Sequence, residues 1–110
     1  MNDDLIRQIL KFRDDRNWKQ YHNPKDLAIS ISIESAELLE NFQWSAHTES
    51  LENKRSAIYE ELADVLIYCI LMADSIDADI YKIIKEKLQK NQLKYPIAKS
   101  YGKKEKYSDL

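Results

Sequence analysis

The chain has 110 residues, 33% of them charged, with a formal net charge of −2 and an isoelectric point near 5.7. That length holds one modest domain and leaves no room for two, and the slightly acidic balance excludes the basic face with which a nucleic-acid backbone is gripped. One glycine and two prolines, set against many Leu, Ile, Glu and Lys, favour long helices over a sheet.

From Asp3 to about Arg16, the apolar residues Leu5, Ile6, Ile9, Leu10 and Phe12 recur at helical spacing. A polar segment, Asn17 to Asn23, follows and carries Trp18, Tyr21 and His22. Asn23-Pro24 supplies an N-cap and a proline at the first helical position, which opens a second helix to about Trp44. Ile29-Ser30-Ile31-Ser32-Ile33 alternates like a strand, yet Leu27, Ile31, Glu34, Leu38 and Phe42 continue one helical face through it, so helix is expected. Ser45 to Asn53 reads as a loop. A third helix is expected from about Lys54 to Ser75, apolar on every side from Val65 to Ala73 and therefore central or in a subunit interface. A fourth starts near the N-cap candidate Asp79 and stops before Pro96. Residues 97–110, with Lys99, Lys103, Lys104 and Lys106, read as a docked or mobile tail of one domain spanning 1–110.

The lone Cys69 cannot close an intrachain disulfide and suits a reducing compartment. The uncharged run from Val65 to Ala73 is far shorter than the roughly 20 residues of a membrane span. Asn2-Asp3-Asp4 is polar and acidic, unlike a signal peptide. A soluble, cytoplasmic protein with neither membrane nor nucleic-acid partners is expected. A core this small leaves apolar surface near the exterior, which favours self-association.

Acids fall where apolar residues should be. On helix two the apolar centre runs along Leu27, Ile31, Leu38 and Phe42, with Glu34 inside that arc and Glu37 at its edge. On helix three the arc runs along Ile58, Leu62, Val65, Cys69 and Met72, and Glu61, Asp64 and Tyr68 form a polar stripe along its margin. Ionised carboxylates so close to a core need positive compensation. Arg or Lys neighbours would do it; two i, i+3 pairs turned inward on successive helices favour a metal ion instead. Hard oxygen ligands select Mg²⁺, with Mn²⁺ as a substitute, over zinc or copper. A di-iron bundle would want Glu-x-x-His on two helices, and His22 and His47 lie outside the helices expected here. On the fourth helix Lys87, Asn91 and Lys94 share the sector of Ile80, Ile84 and Leu88. Cations there suit phosphate contact; otherwise their stems simply cover apolar surface.

Glu34-Ser35-Ala36-Glu37 followed by Glu61-Leu62-Ala63-Asp64 resembles the E-x-x-E…E-x-x-D motif of the MazG-like all-α NTP pyrophosphohydrolases. Asn17-Trp18 with Tyr21-His22, Phe42-Gln43-Trp44, Asp64 to Tyr68, Asn91 with Lys94-Tyr95-Pro96, and Lys103 to Tyr107 are similar to the dCTP pyrophosphatase branch. The resemblance covers roughly residues 4 to 107. It implies a four-helix core assembled as a homodimer or homotetramer, with Glu34, Glu37, Glu61 and Asp64 holding Mg²⁺. It also implies Trp18, His22, Trp44 and Tyr68 around base and sugar. The chain departs from the family's fuller motif in having Ile33 before Glu34, and from that branch in having no His in its first helix and Gln92-Leu93 after Asn91.

The implied reaction is hydrolysis of a (deoxy)nucleoside triphosphate, dCTP-like or a modified pyrimidine nucleotide, to the monophosphate and pyrophosphate, in cleansing of the nucleotide pool. Glu37 is the candidate for orienting or deprotonating the attacking water. The alternative is a non-catalytic helical oligomer, either stabilised by a metal or binding nucleotide without turnover.

Overall fold

Helices occupy all four expected stretches, and no strand occurs among the described residues, 3–110 of the computed structural model. Asn2, and with it the reading of Asn2-Asp3-Asp4 as a unit, lies outside the described residues. The helices are α1 (Asp3–Asp15), α2 (Pro24–Glu40), α3 (His47–Ser75), α4 (Ile80–Lys94) and the single turn α5 (Ile97–Ser100). No described helix is long and apolar enough to cross a membrane. By its internal packing the chain resolves into two compact units, one ending at Asp77 and one running from Ala78 to Leu110.

In the first unit α3 packs against both α1 and α2. Leu27 of α2 and Ile58, Ile70, Leu71 and Ala73 of α3 are its buried apolar residues. The start of α2 follows the capping chemistry: Asn23 Oδ1 accepts from the Asp26 N–H at 2.9 Å, its amide donates to the Asp26 carboxylate at 2.7 Å, and Pro24 occupies the first turn. Asn23→Ala is expected to lower stability by about 1 kcal/mol, seen as a reduced midpoint in urea unfolding.

Two boundaries differ from those the sequence suggests. α2 ends at Glu40 and not near Trp44, because the Asn41 side chain bonds back to the carbonyls of Glu37 and Leu38. The following N–H groups, of Phe42 and Gln43, reach only three residues back, and Trp44 then turns the chain out of helix at φ 65°. The segment expected to be a loop is helical from His47. It is anchored by Ser50, which is 1% exposed, bonds through its hydroxyl to Ser45, and donates its N–H to the Ala46 carbonyl. Lys54, where the third helix was expected to begin, has φ −128° and ψ 23°, so α3 is two helical segments joined at a kink.

α3 is less enclosed than its apolar run suggests. Ile70, Leu71 and Ala73 are buried, whereas Tyr59, Leu62 and Leu66 are exposed, as are Ile29, Ile33 and Leu39 of α2.

In the second unit Asp79 caps α4, its Oδ1 accepting from the N–H groups of Tyr81 and Lys82. Ile83, Ile84 and Leu88 of α4 are exposed. Beyond α5 the chain folds back on the end of α4: the Tyr107 ring meets Tyr95 edge to face at 6.1 Å and lies 4.9 Å from the Lys94 ammonium.

Candidate active site

Glu34 and Glu37 are one helical turn apart on α2, and Glu61 and Asp64 stand in the same relation on α3. Packing of the two helices brings one carboxylate oxygen each of Glu34, Glu61 and Asp64 within 4.8 Å of one another. Glu37 is outside that trio but close enough to act on it by charge and hydrogen bonding. Loss of hydration, then the hydrogen bond and charge of Glu37, then Asp64 and Glu61, push the Glu34 carboxyl up to about 7. Burial, followed by Glu37 and Asp64, also raises Glu61.

One oxygen each of Glu34 and Glu61 is buried with no hydrogen-bond partner. No ion pair within the described residues of this unit reaches any of the four acids. Mutual repulsion without a compensating cation is what a divalent ion would relieve, and the all-oxygen donor set matches Mg²⁺ or Mn²⁺. The residues therefore fit such an ion.

Beside the acids lies a cavity of about 350 Å³ lined by Leu5, Gln8, Ile9, Phe12 and Arg13 of α1, then Trp18 and His22, and then Asp64, Ile67, Tyr68 and Leu71 of α3. Asp64 belongs to both the acid trio and the cavity wall. The Trp18 ring packs edge-on against Phe12 at 5.7 Å, and the Arg16 guanidinium lies over Phe12 at 3.7 Å. His22 Nδ1 is buried without a partner. Burial, helped by the nearby charge of Arg13, lowers the His22 pKa, so the imidazole is neutral near pH 7 and offers a hydrogen bond, not a charge.

Of the residues singled out in the sequence, Trp18, His22, Asp64 and Tyr68 meet in this cavity, and Glu34, Glu37 and Glu61 stand with Asp64. Trp44 does not line it and is 93% exposed after α2. Lys87, Asn91 and Lys94 belong to the second unit, with Lys87 exposed, Asn91 half-buried and Lys94 against Tyr107. The sequence reading missed Arg13, Gln8 and Phe12. Arg13 had a detectable signal, since it continues the α1 stripe of Ile6, Ile9 and Leu10 as a charge on an apolar face.

The model of the MazG-like family matches residues 29–110. The dCTP pyrophosphatase 1 of Mus musculus is 35% identical over 113 aligned residues, and that of Homo sapiens 32%; each alignment covers 98% of this chain and 66% of the relative. The chain thus spans just under two thirds of the length of these curated relatives. A pyrophosphatase from Archaeoglobus fulgidus of known crystal structure superimposes with a TM-score of 0.81 at 45% identity, covering 86% of this chain and 91% of that one. This all-helical chain belongs to the MazG-like family.

Proposed function

We propose that the chain is a Mg²⁺-dependent nucleoside triphosphate pyrophosphohydrolase, releasing the monophosphate and pyrophosphate. The observation that carries this reading is the double membership of Asp64, which sets a trio of under-compensated carboxylates against a cavity walled by an indole, a neutral imidazole and a phenol. A nucleotide needs both halves: a planar, mostly apolar slot for its base and a cation site for its phosphates. The dCTP pyrophosphatases among its relatives support the same assignment.

In this reading Glu34, Glu61 and Asp64, with Glu37, hold Mg²⁺, or Mn²⁺ in its place. The ion, when bound, neutralises charge developing on the phosphate oxygens and lowers the pKa of water. The chain's own groups do the remaining work. Trp18 and Tyr68 receive the base, and His22 donates or accepts one hydrogen bond at its edge. Glu37, outside the trio and so the least committed of the four acids to the ion, orients the attacking water and takes its proton. Lys87, Asn91 and Lys94 are assigned to the triphosphate, and Trp44 to the base. A dCTP-like or modified pyrimidine nucleotide is the assigned substrate class.

The chain acts as one domain over residues 1–110 and as a homodimer or homotetramer. Support for assembly comes from Leu62 and Leu66 of α3, Leu39 of α2 and Leu88 of α4, all left exposed in the single chain. We assign the chain a cytoplasmic role in clearing unwanted nucleotides.

The test is product analysis over canonical and modified ribo- and deoxyribonucleoside triphosphates, with Mg²⁺ and with EDTA. Monophosphate plus pyrophosphate, formed only with Mg²⁺, is the expected result. Diphosphate plus orthophosphate would assign a different cleavage, and no turnover of any substrate would sink the hydrolase reading.

A further inference from the structure

Arg13 is 4% exposed and is the only buried charged side chain among the described residues of the first unit. A guanidinium removed from water is tolerated only when its donors are matched. Nε donates to Asp14 at 2.8 Å and Nη1 to Asp74 at 2.5 Å. These bonds outweigh the cost of burial and keep the group firmly charged.

The two partners differ in kind. Asp14 is the next residue in the chain and joins nothing distant. Asp74 is 61 positions away, near the end of α3. By contrast, the Gln8–Asp4 and Lys11–Asp15 hydrogen bonds of α1 each span four positions within the helix.

Arg13 also fixes the turn that follows it. Its carbonyl accepts from the Trp18 N–H at 3.1 Å and from the Arg16 N–H at 3.2 Å, across a reversal in which Asn17 takes φ 54°. Trp18 therefore leaves from a point tied to Arg13, and Arg13 is tied to α3. Trp18 and His22 line the cavity together with Asp64 and Tyr68 of α3.

We infer that Arg13 is a positioning residue: through Asp74 it fixes Trp18 and His22 relative to Asp64 and Tyr68 of α3, and so sets substrate affinity without touching the reacting phosphate. The inference rests on the hydrolase reading for its kinetic arm. Its structural arm stands apart from turnover.

The experiment compares the parent chain with Arg13→Met, Arg13→Lys and Asp74→Asn. Steady-state kinetics use the best triphosphate, and acrylamide quenching of Trp18 is read without nucleotide in a Trp44→Phe background. Arg13→Met and Asp74→Asn are each expected to raise KM about tenfold, with kcat and the Mg²⁺ half-saturation changed by no more than about threefold. Arg13→Lys should recover part of the loss, because an ammonium can still pair with Asp74 but cannot also hold Asp14 in a fork. Trp18 should become more easily quenched in the Met and Asn variants.

Unchanged KM and unchanged quenching would overturn the inference, as would a fall in kcat with a matching rise in Mg²⁺ demand. Should Arg13→Met fail to fold, Asp74→Asn decides, since it leaves the Asp14 bond in place. Should the parent chain hydrolyse no triphosphate, the hydrolase reading fails by itself, and unchanged quenching would still overturn the positioning role.

Discussion

Glu61→Gln is expected to remove turnover while making the metal-free protein harder to unfold. The two effects have one cause. Glu61 is a member of the acid trio, with one oxygen buried and unpartnered and its pKa raised by burial, by Glu37 and by Asp64. In the proposed site that carboxylate is a ligand of the cation, and a neutral amide would replace it poorly. A loss of about 10³ in kcat/KM is expected, close to 4 kcal/mol of transition-state stabilisation. Without the cation, burial and the influence of Glu37 and Asp64 on the same carboxylate outweigh its hydrogen bond with Glu34. An amide there removes a charge and adds donors facing Glu34 and Glu37, so Tm in EDTA should rise. Kinetics over a Mg²⁺ titration, paired with calorimetry in EDTA, checks both signs. A variant that keeps its turnover, or whose metal-free Tm falls, would remove Glu61 from the centre.

In the metal-free protein, the contribution of Glu34 to stability should fall as pH rises from 5 to 7.5. The Glu34 carboxyl sits at about 7 in the folded chain against an ordinary value of 4.5. Below 4.5 both folded and unfolded chains carry its proton and nothing is lost. Between 4.5 and 7 the folded chain holds a proton that the unfolded one has released, so each rise in pH favours unfolding. Above about 7 the group is ionised in both states and the loss is complete.

His22 works in the opposite direction. Its pKa is lowered by burial and then by Arg13, so its contribution grows as pH approaches 6.5 and is level above it. Asp14, lowered mainly by its hydrogen bond to Arg13, changes stability only below its ordinary value of 3.8, outside this window. The Glu34 effect is therefore read as the difference between the parent chain and Glu34→Gln, by Tm in EDTA at each pH. The difference should widen towards pH 7.5. Added Mg²⁺ should raise the parent Tm at pH 8 and do so progressively less as pH drops through 7, where protons compete for the ligand oxygens. A flat difference would mean that Glu34 does not face the other acids in solution.

Much of the acid site could be read from one chain because an α-helix is a ruler. Residues three apart on α2 and again on α3 must share a side, and a charge within an apolar arc must find a partner. What the ruler lacks is the distance between helices, and so the separation of Glu37 from the trio of Glu34, Glu61 and Asp64 emerges only from packing. The same logic, applied to α1, marks Arg13 on the stripe of Ile6, Ile9 and Leu10, yet its partner Asp74 cannot be found by periodicity, since the bond crosses 61 positions. The missed helical start at His47 has another origin. It is held by a hydroxyl pair, Ser45 with Ser50, and by burial of Ser50, where Ala46 offers no side-chain cap. Polar residues in a short segment favour loops locally, and tertiary burial overrode that preference.

The kink at Lys54 divides α3 by inheritance as well as by geometry. Downstream of it, Ile58 is buried and locks the rotation of the segment carrying Glu61, Asp64 and Tyr68. Upstream, the chain winds on its own phase. A residue inserted between Ser50 and Lys54 need not propagate, because it leaves the Ser45–Ser50 anchor in place and the kink can absorb it. The same residue inserted between Ile58 and Glu61 would swing both acids by about 100° around the helix. Length variation among descendants of this chain thus has a permissive side and a forbidden side, and Lys54 is the border between them.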